Sequence, residues 1–423
     1  MSNIKIAAII FRTSIILSMT WMSSTATEIE SSFQKLPVIL KAADVLSKDV
    51  LAGSNYRIAE TIENDGFVNT YHIDTDYGAL IIEGTGLLMI RVNELNAIDH
   101  MEKLKQTTTF KDALVAGAKA PFLAAKGLVT EPVDTVTGIG TGVGHWFSDV
   151  GQSIVSDDPH QDNALKTAIG YSATKRKFAY EYGINPYTRY EPVMKRLGEI
   201  ARVSVAGGLT TKVASGFLKR PVGTALQLFS TAHTMKLLVR DNSPDVLEDI
   251  NEKKLKKMGV SDSLTKTFLN NPYFDPQETT LLVGALDSMK NVNGRDSFIK
   301  EASLADEVEV ALFMRLQAQM IADYHLNVAP ITQFVWAQGI LIQKQEGIVV
   351  NLLPLDYIAW TPAMLRKENV TSEFIKRLPG VTGKELWIAG SVDSAARRNF
   401  EERGWTVKEN ILNQIFKPVD SPD

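Results

Sequence analysis

Five glycines sit within one helical stripe between residues 131 and 154. Val129, Val133, Val136, Gly140, Val143, Phe147, Val150 and Ile154 are spaced alternately four and three residues apart, which places all eight on one face of an α-helix. Thr130 is placed to cap this helix, Pro132 suits its first turn, and Asp134 faces its positive end. Gly138, Gly140, Gly142, Gly144 and Gly151 each cost an exposed helix about 1 kcal/mol relative to alanine. An external contact must offset that cost. Two are available: close packing against another backbone through Gly138/Gly142 and Gly140/Gly144, or burial of the apolar face, with Trp146 and Phe147, in a lipid interface.

Thr137, Gly138, Gly142 and Gly144 also match the glycine spacing of the short-chain dehydrogenase loop, and Tyr171 with Lys175 matches that family's YxxxK element. A dinucleotide site needs its loop after the first strand of a doubly wound sheet, with more strands before the tyrosine. Only about 30 residues separate the two elements here. No cofactor is therefore expected.

The chain's charge is unevenly distributed. Residues 166–240 hold 13 Lys and Arg against three acids, Glu181, Glu191 and Glu199, a local net of +10 in a chain whose total is −4. Such a block either offers a surface to an anionic partner or pairs with acids elsewhere in the fold. Lys175, Arg176, Lys177, Lys212, Lys219 and Arg220 are the candidate contacts with an anionic partner. Trp146 and Phe147 are the aromatic candidates beside them. Gly216 to Thr224 echoes Gly127 to Thr135, so a second proline-started helix follows the first at an offset of 89 residues.

At the N-terminus, Lys5 and Arg12 precede a mostly apolar run over 13–22, and Ser24-Thr25-Ala26 has the small-x-small form of a cleavage site. That pattern predicts a secretory signal over residues 1–26 and hence an exported protein, periplasmic or envelope-associated in a bacterium. The chain has no cysteine, which excludes disulfides, thiolate nucleophiles and cysteine metal sites.

The expected fold is α+β, with a predominantly helical centre, a small N-terminal antiparallel sheet and a mixed α/β C-terminal unit. Residues 27–92 read as β-rich, with strand-like runs at 67–74, 79–83 and 87–92. Residues 93–330 read as a helical domain, including a polar stripe at Lys105, Asp112, Lys119 and Lys126 and one long buried helix over 297–325. Residues 331–423 read as hairpin, helix, then strand–helix–strand, with Ser391 and Asp393 at the last strand-to-helix turn.

Catalytic motifs are absent. The six histidines lack metal-ligand spacing, and the sequence contains no HExxH, GxSxG or GxxxxGK[ST]. Asp74 and Asp76 open a calcium-like loop that lacks its closing glutamate, and 156–163 is acidic around a proline, so no metal site is expected. The reading that follows is an exported envelope protein that contacts membrane or another anionic envelope component through its Gly-rich helices and basic block. No nucleic-acid partner is expected. Two alternatives stand: a hydrolase-like enzyme with its site in the C-terminal unit or against the 297–325 helix, and a structural protein that binds a partner protein.

Overall fold

The computed structural model describes residues 33–119, 161–209 and 230–415. The glycine stripe at 131–154, with Trp146 and Phe147, lies outside those residues, as do Lys212, Lys219 and Arg220. The described residues form an α+β fold: an N-terminal antiparallel half-barrel sheet, a helical middle, and a C-terminal mixed sheet covered by helices.

In the first sheet, β1 (Val38–Lys41) pairs with β3 (Thr61–Asn64), which pairs with β4 (Asn69–Thr75). Strand β4 also pairs with β2 (Tyr56–Ile58) and, through a turn at Gly78 (φ +112°), with β5 (Gly78–Glu83). Alternate residues Tyr71, Ile73 and Ile82 are buried while His72, Asp74 and Ile81 face outward, the period expected of a one-sided sheet.

Residues 87–92, expected as a strand, instead open helix α3 (Thr85–Gln106), which follows the short helices α1 (Ala42–Val45) and α2 (Lys48–Leu51). The buried series Leu88, Val92, Leu95, Ile98 and Met101 has helical spacing. Its start is fixed from far along the chain. The Asp356 carboxylate accepts the Thr85 amide at 3.1 and 3.2 Å and the Asn69 amide at 2.8 Å, satisfying orphan donors with an anion at the positive helix end.

The polar stripe does not run along one helix. Thr107 ends α3 and its hydroxyl accepts the Phe110 amide, so Asp112 and Lys119 belong to a separate helix, α4 (Thr108–Lys119). Helices α5 (Gln161–Glu181) and α6 (Glu191–Gly207) then join α3 over the first sheet. Phe178, Val193, Leu197 and Ile200 complete the same buried cluster as Tyr71 and Leu88.

A second apolar cluster lies under the rest of the chain. Helices α7 (Ser230–Asp241), α8 (Pro244–Lys257), α9 (Asp262–Leu269) and α10 (Pro276–Ser288) lead to it. The long helix expected over 297–325 is two helices, α11 (Arg295–Ala302) and α12 (Val308–Asn327). Between them the chain turns, and the Asn271 amide donates to the carbonyls of Ser303 (3.2 Å) and Ala305 (2.9 Å). That distant side chain supplies the partner that helix continuation would otherwise provide.

The C-terminal sheet has the order β12 (Trp405–Lys408), β10 (Gly383–Ile388), β8 (Ile348–Leu353), β7 (Ile340–Lys344), β6 (Ile331–Trp336). Strands β6, β7 and β8 are antiparallel neighbours, and β8, β10 and β12 are parallel. Helices α13 (Pro362–Lys376) and α14 (Ser394–Glu402) make the two crossovers. A two-stranded ladder of β9 (Tyr357–Ile358) and β11 (Ser391–Val392) lies beside it, and α15 (Leu412–Ile415) closes the described chain. Trp387 meets Tyr324 of α12 edge-on at 5.0 Å between centroids, while its neighbour Leu386 lines a cavity with Lys367 of α13. Adjacent strand residues thus serve opposite faces of the sheet.

Candidate functional site

A cavity of about 190 Å³ lies between α5, α7 and the start of α10. Helix α5 stops at a left-handed glycine. Gly183 (φ +65°) lets its amide reach the Tyr180 carbonyl at 3.0 Å and the Ile184 amide reach Ala179 at 2.9 Å. The chain then passes below the cavity, where Asn185 accepts the Tyr187 amide and donates to Asp275, the N-cap of α10.

Helix α7 lies against α10 through a glycine. A Cβ added at Gly284 would fall 2.3 Å from Met235 Sδ, so the absent side chain permits this approach. With α7 seated there, His233, Lys236 and Arg240 follow one another at helical spacing of three and four along the cavity wall. Arg176 and Tyr180, also four apart, face them from α5, and Gln277 contributes from α10. The Arg240 guanidinium lies 4.9 Å from the centre of the Tyr180 ring.

Four basic side chains therefore line one cavity, and its described lining holds no carboxylate. Of the nearby acids, Asp241 is bound to one of these four cations and Glu278 to an arginine outside the described lining. Asp241 takes a two-pronged bond from Arg240 at 2.7 and 2.8 Å, and Glu278 accepts Arg315 Nε at 2.6 Å. Arg315 also donates to Gln319 Oε1 at 2.8 Å. Asp275 accepts the amides of Gln277 and Glu278 and the side chain of Asn185; burial, then the neighbouring Glu278 charge, raises its pKa.

Burial, reinforced by the Arg315 charge and opposed by Glu278, lowers the Lys236 ammonium to about 8. Arg176 is only 8% exposed, and its Nε has no hydrogen-bond partner. That nitrogen is enclosed by protein, as are partnerless nitrogens of Arg91 and Arg295, so the cavity is distinguished by its convergence of cations rather than by this donor. The site can receive an anion.

Of the residues singled out from sequence that the structure describes, only Arg176 lines this cavity. Lys175 is partly buried and Lys177 exposed on the same helix. Sequence reading passed over Tyr180, His233, Lys236, Arg240 and Gln277, although the first four carry a legible signal: i,i+3 and i,i+4 spacing within the basic block.

A second buried lysine occupies the C-terminal unit. Lys367 Nζ donates to the Gln338 carbonyl at 2.9 Å, and burial lowers its ammonium to about 7 despite the opposing charge of Glu301. It borders two spaces of about 30 and 20 Å³, each of a size for one or two waters. Beside it Glu368 accepts Trp405 Nε1 at 3.0 Å and the Ser372 hydroxyl, with Arg403 and Lys384 at 3.3 and 3.6 Å. Asp393, marked in the sequence at the strand-to-helix turn, caps α14 by accepting the Ala395 and Ala396 amides and also accepts the Trp360 amide.

Among the described residues no group of three metal-binding side chains comes together, and no helix is long and apolar enough to cross a membrane. Comparison with protein-family models, curated proteins and solved structures gives no match.

Proposed function

We propose that the protein is an exported, envelope-associated binder that contacts membrane or another anionic envelope component through its basic helical block. One observation carries this reading: Arg176, His233, Lys236 and Arg240 surround a single cavity whose described lining contains no acid. Pairing within the fold accounts for part of the block, as in Arg196 with Glu102 and Arg240 with Asp241, but not for Arg176 and Lys236 at the cavity. The segments 120–160 and 210–229 contribute Trp146, Phe147, Lys212, Lys219 and Arg220 to the proposed contact.

The test is co-sedimentation of the full-length protein with anionic and with zwitterionic vesicles at low and high salt. Binding restricted to anionic vesicles and lost at high salt is expected, because salt screens exposed charge over about 10 Å at 0.1 M. Failure to bind either vesicle at low salt would sink the membrane reading.

A further inference from the structure

We propose that the cavity between α5 and α7 binds a phosphate group, free or as the end of a phosphomonoester, held by Arg176, Lys236 and Arg240. The proposal rests on the anion-binding reading above and narrows it to a discrete, saturable site with a stated ligand chemistry.

The donors favour a tetrahedral polyanion over a planar carboxylate. A carboxylate presents two oxygens in one plane, which one arginine fork satisfies, whereas a phosphate presents three equivalent oxygens to cations arriving from different directions. Here two guanidinium groups and one ammonium come from two facing helices. Arg176 meets the ligand with the part of its guanidinium that lines the cavity, while its Nε is enclosed by protein and out of the ligand's reach. Arg240 is shared with Asp241 and so contributes less than Arg176 or Lys236.

Size supports a phosphate with something attached. At roughly 10–15 Å³ for one water, about 190 Å³ admits on the order of ten waters, more than the phosphate oxygens displace. The Tyr180 ring, Ile184 and Pro186 form the apolar part of the wall, where the organic residue of an ester can lie. Glu278 is paired with Arg315 and is not among the described lining of the cavity. Its charge helps to keep Lys236 protonated without repelling the ligand directly.

The experiment is isothermal titration of the full-length protein with inorganic phosphate and with glycerol phosphate at neutral pH, beside sedimentation on phosphatidic acid and phosphatidylglycerol vesicles. One-to-one saturable binding of a soluble phosphate is expected, weakened roughly tenfold or more by Arg176→Gln or Lys236→Gln and about threefold by Arg240→Gln. Lys177→Gln, on the same helix but off the cavity, should leave it unchanged. Lys236→Gln removes a charge that burial disfavours, so it tests the site even where Arg176→Gln fails to fold.

Saturable binding of glycerol phosphate without vesicle binding would support the pocket and assign it a soluble ligand. A preference for phosphatidic acid over phosphatidylglycerol, abolished by the same variants, would assign it a lipid headgroup. Equal binding of both vesicles with no saturable soluble phosphate would overturn the pocket while leaving the broader anionic reading in place. Binding indifferent to Arg176→Gln and Lys236→Gln would overturn it as well.

Discussion

Lys236 and Lys367 are both buried amines held below their ordinary value of 10.5, near 8 and near 7 respectively, yet their surroundings differ. Lys236 lines about 190 Å³ of open space with three other basic side chains and no carboxylate among the described lining. Lys367 borders water-sized voids, donates to a backbone carbonyl, and lies next to a carboxylate that already receives several donors. A lowered amine shows only that burial disfavours its charge. What separates a binding site from a structural one is room for a ligand and a convergence of charge that no acid in the described lining offsets.

The largest effect expected from this contrast is on stability, at Lys367. Its folded value lies below its unfolded value, so between about 7 and 10.5 the unfolded chain holds the proton and the folded chain does not. Stability therefore rises with pH across that window and is lower below about 7, where the buried amine must carry charge. Lys367→Met should remove this slope, amounting to several kcal/mol, and should leave phosphate binding untouched. Urea unfolding of the wild type and variant across the window measures the slope. Equal slopes in the two proteins, or loss of phosphate binding in Lys367→Met, would break the contrast.

Next in size is the pH dependence of anion binding at Lys236. Sulfate is the suitable probe because it carries the same charge throughout the range. The binding form is the ammonium, so affinity should be fullest below about 8 and fall as pH rises through it, by roughly tenfold once the amine is neutral. Arginine side chains in general stay charged throughout this range. Asp241, Asp275, Glu278 and His233 are the other titratable neighbours, and Lys236→Gln separates their effect from that of the amine. A steep profile surviving in Lys236→Gln would assign the titration to one of them.

The sequence disclosed the fold class because local pattern sets most elements. Alternation marks β4 and β5, Thr361-Pro362 caps and starts α13, and Glu346-Gly347 turns β7 into β8. What it hid depends on side chains far along the chain. The start of α3 is fixed by Asp356, more than 250 residues away, and the break between α11 and α12 is held by Asn271. The cavity was half legible. The basic excess over 166–240 was plain, but which cations converge depends on how α7 seats against α10, and no local pattern reports that.

The smallest expected effect probes that seating. At Gly284 an added Cβ would meet Met235 Sδ at 2.3 Å and Cγ at 2.5 Å, both in a flexible side chain one residue before Lys236. Gly284→Ala gains about 1 kcal/mol of helix propensity in α10, against a similar cost for moving Met235, so stability should change by less than roughly 1 kcal/mol. Binding should respond more clearly than stability. Where Met235 yields by rolling α7 rather than by turning its own side chain, Lys236 and Arg240 move with it relative to Arg176. Phosphate affinity should drop about threefold while Lys367→Met in the same background changes nothing further, because sites that share no partners act independently. Unchanged affinity in Gly284→Ala would mean that α7 holds its cations in place whatever lies behind it, and that the cavity does not depend on this helix contact.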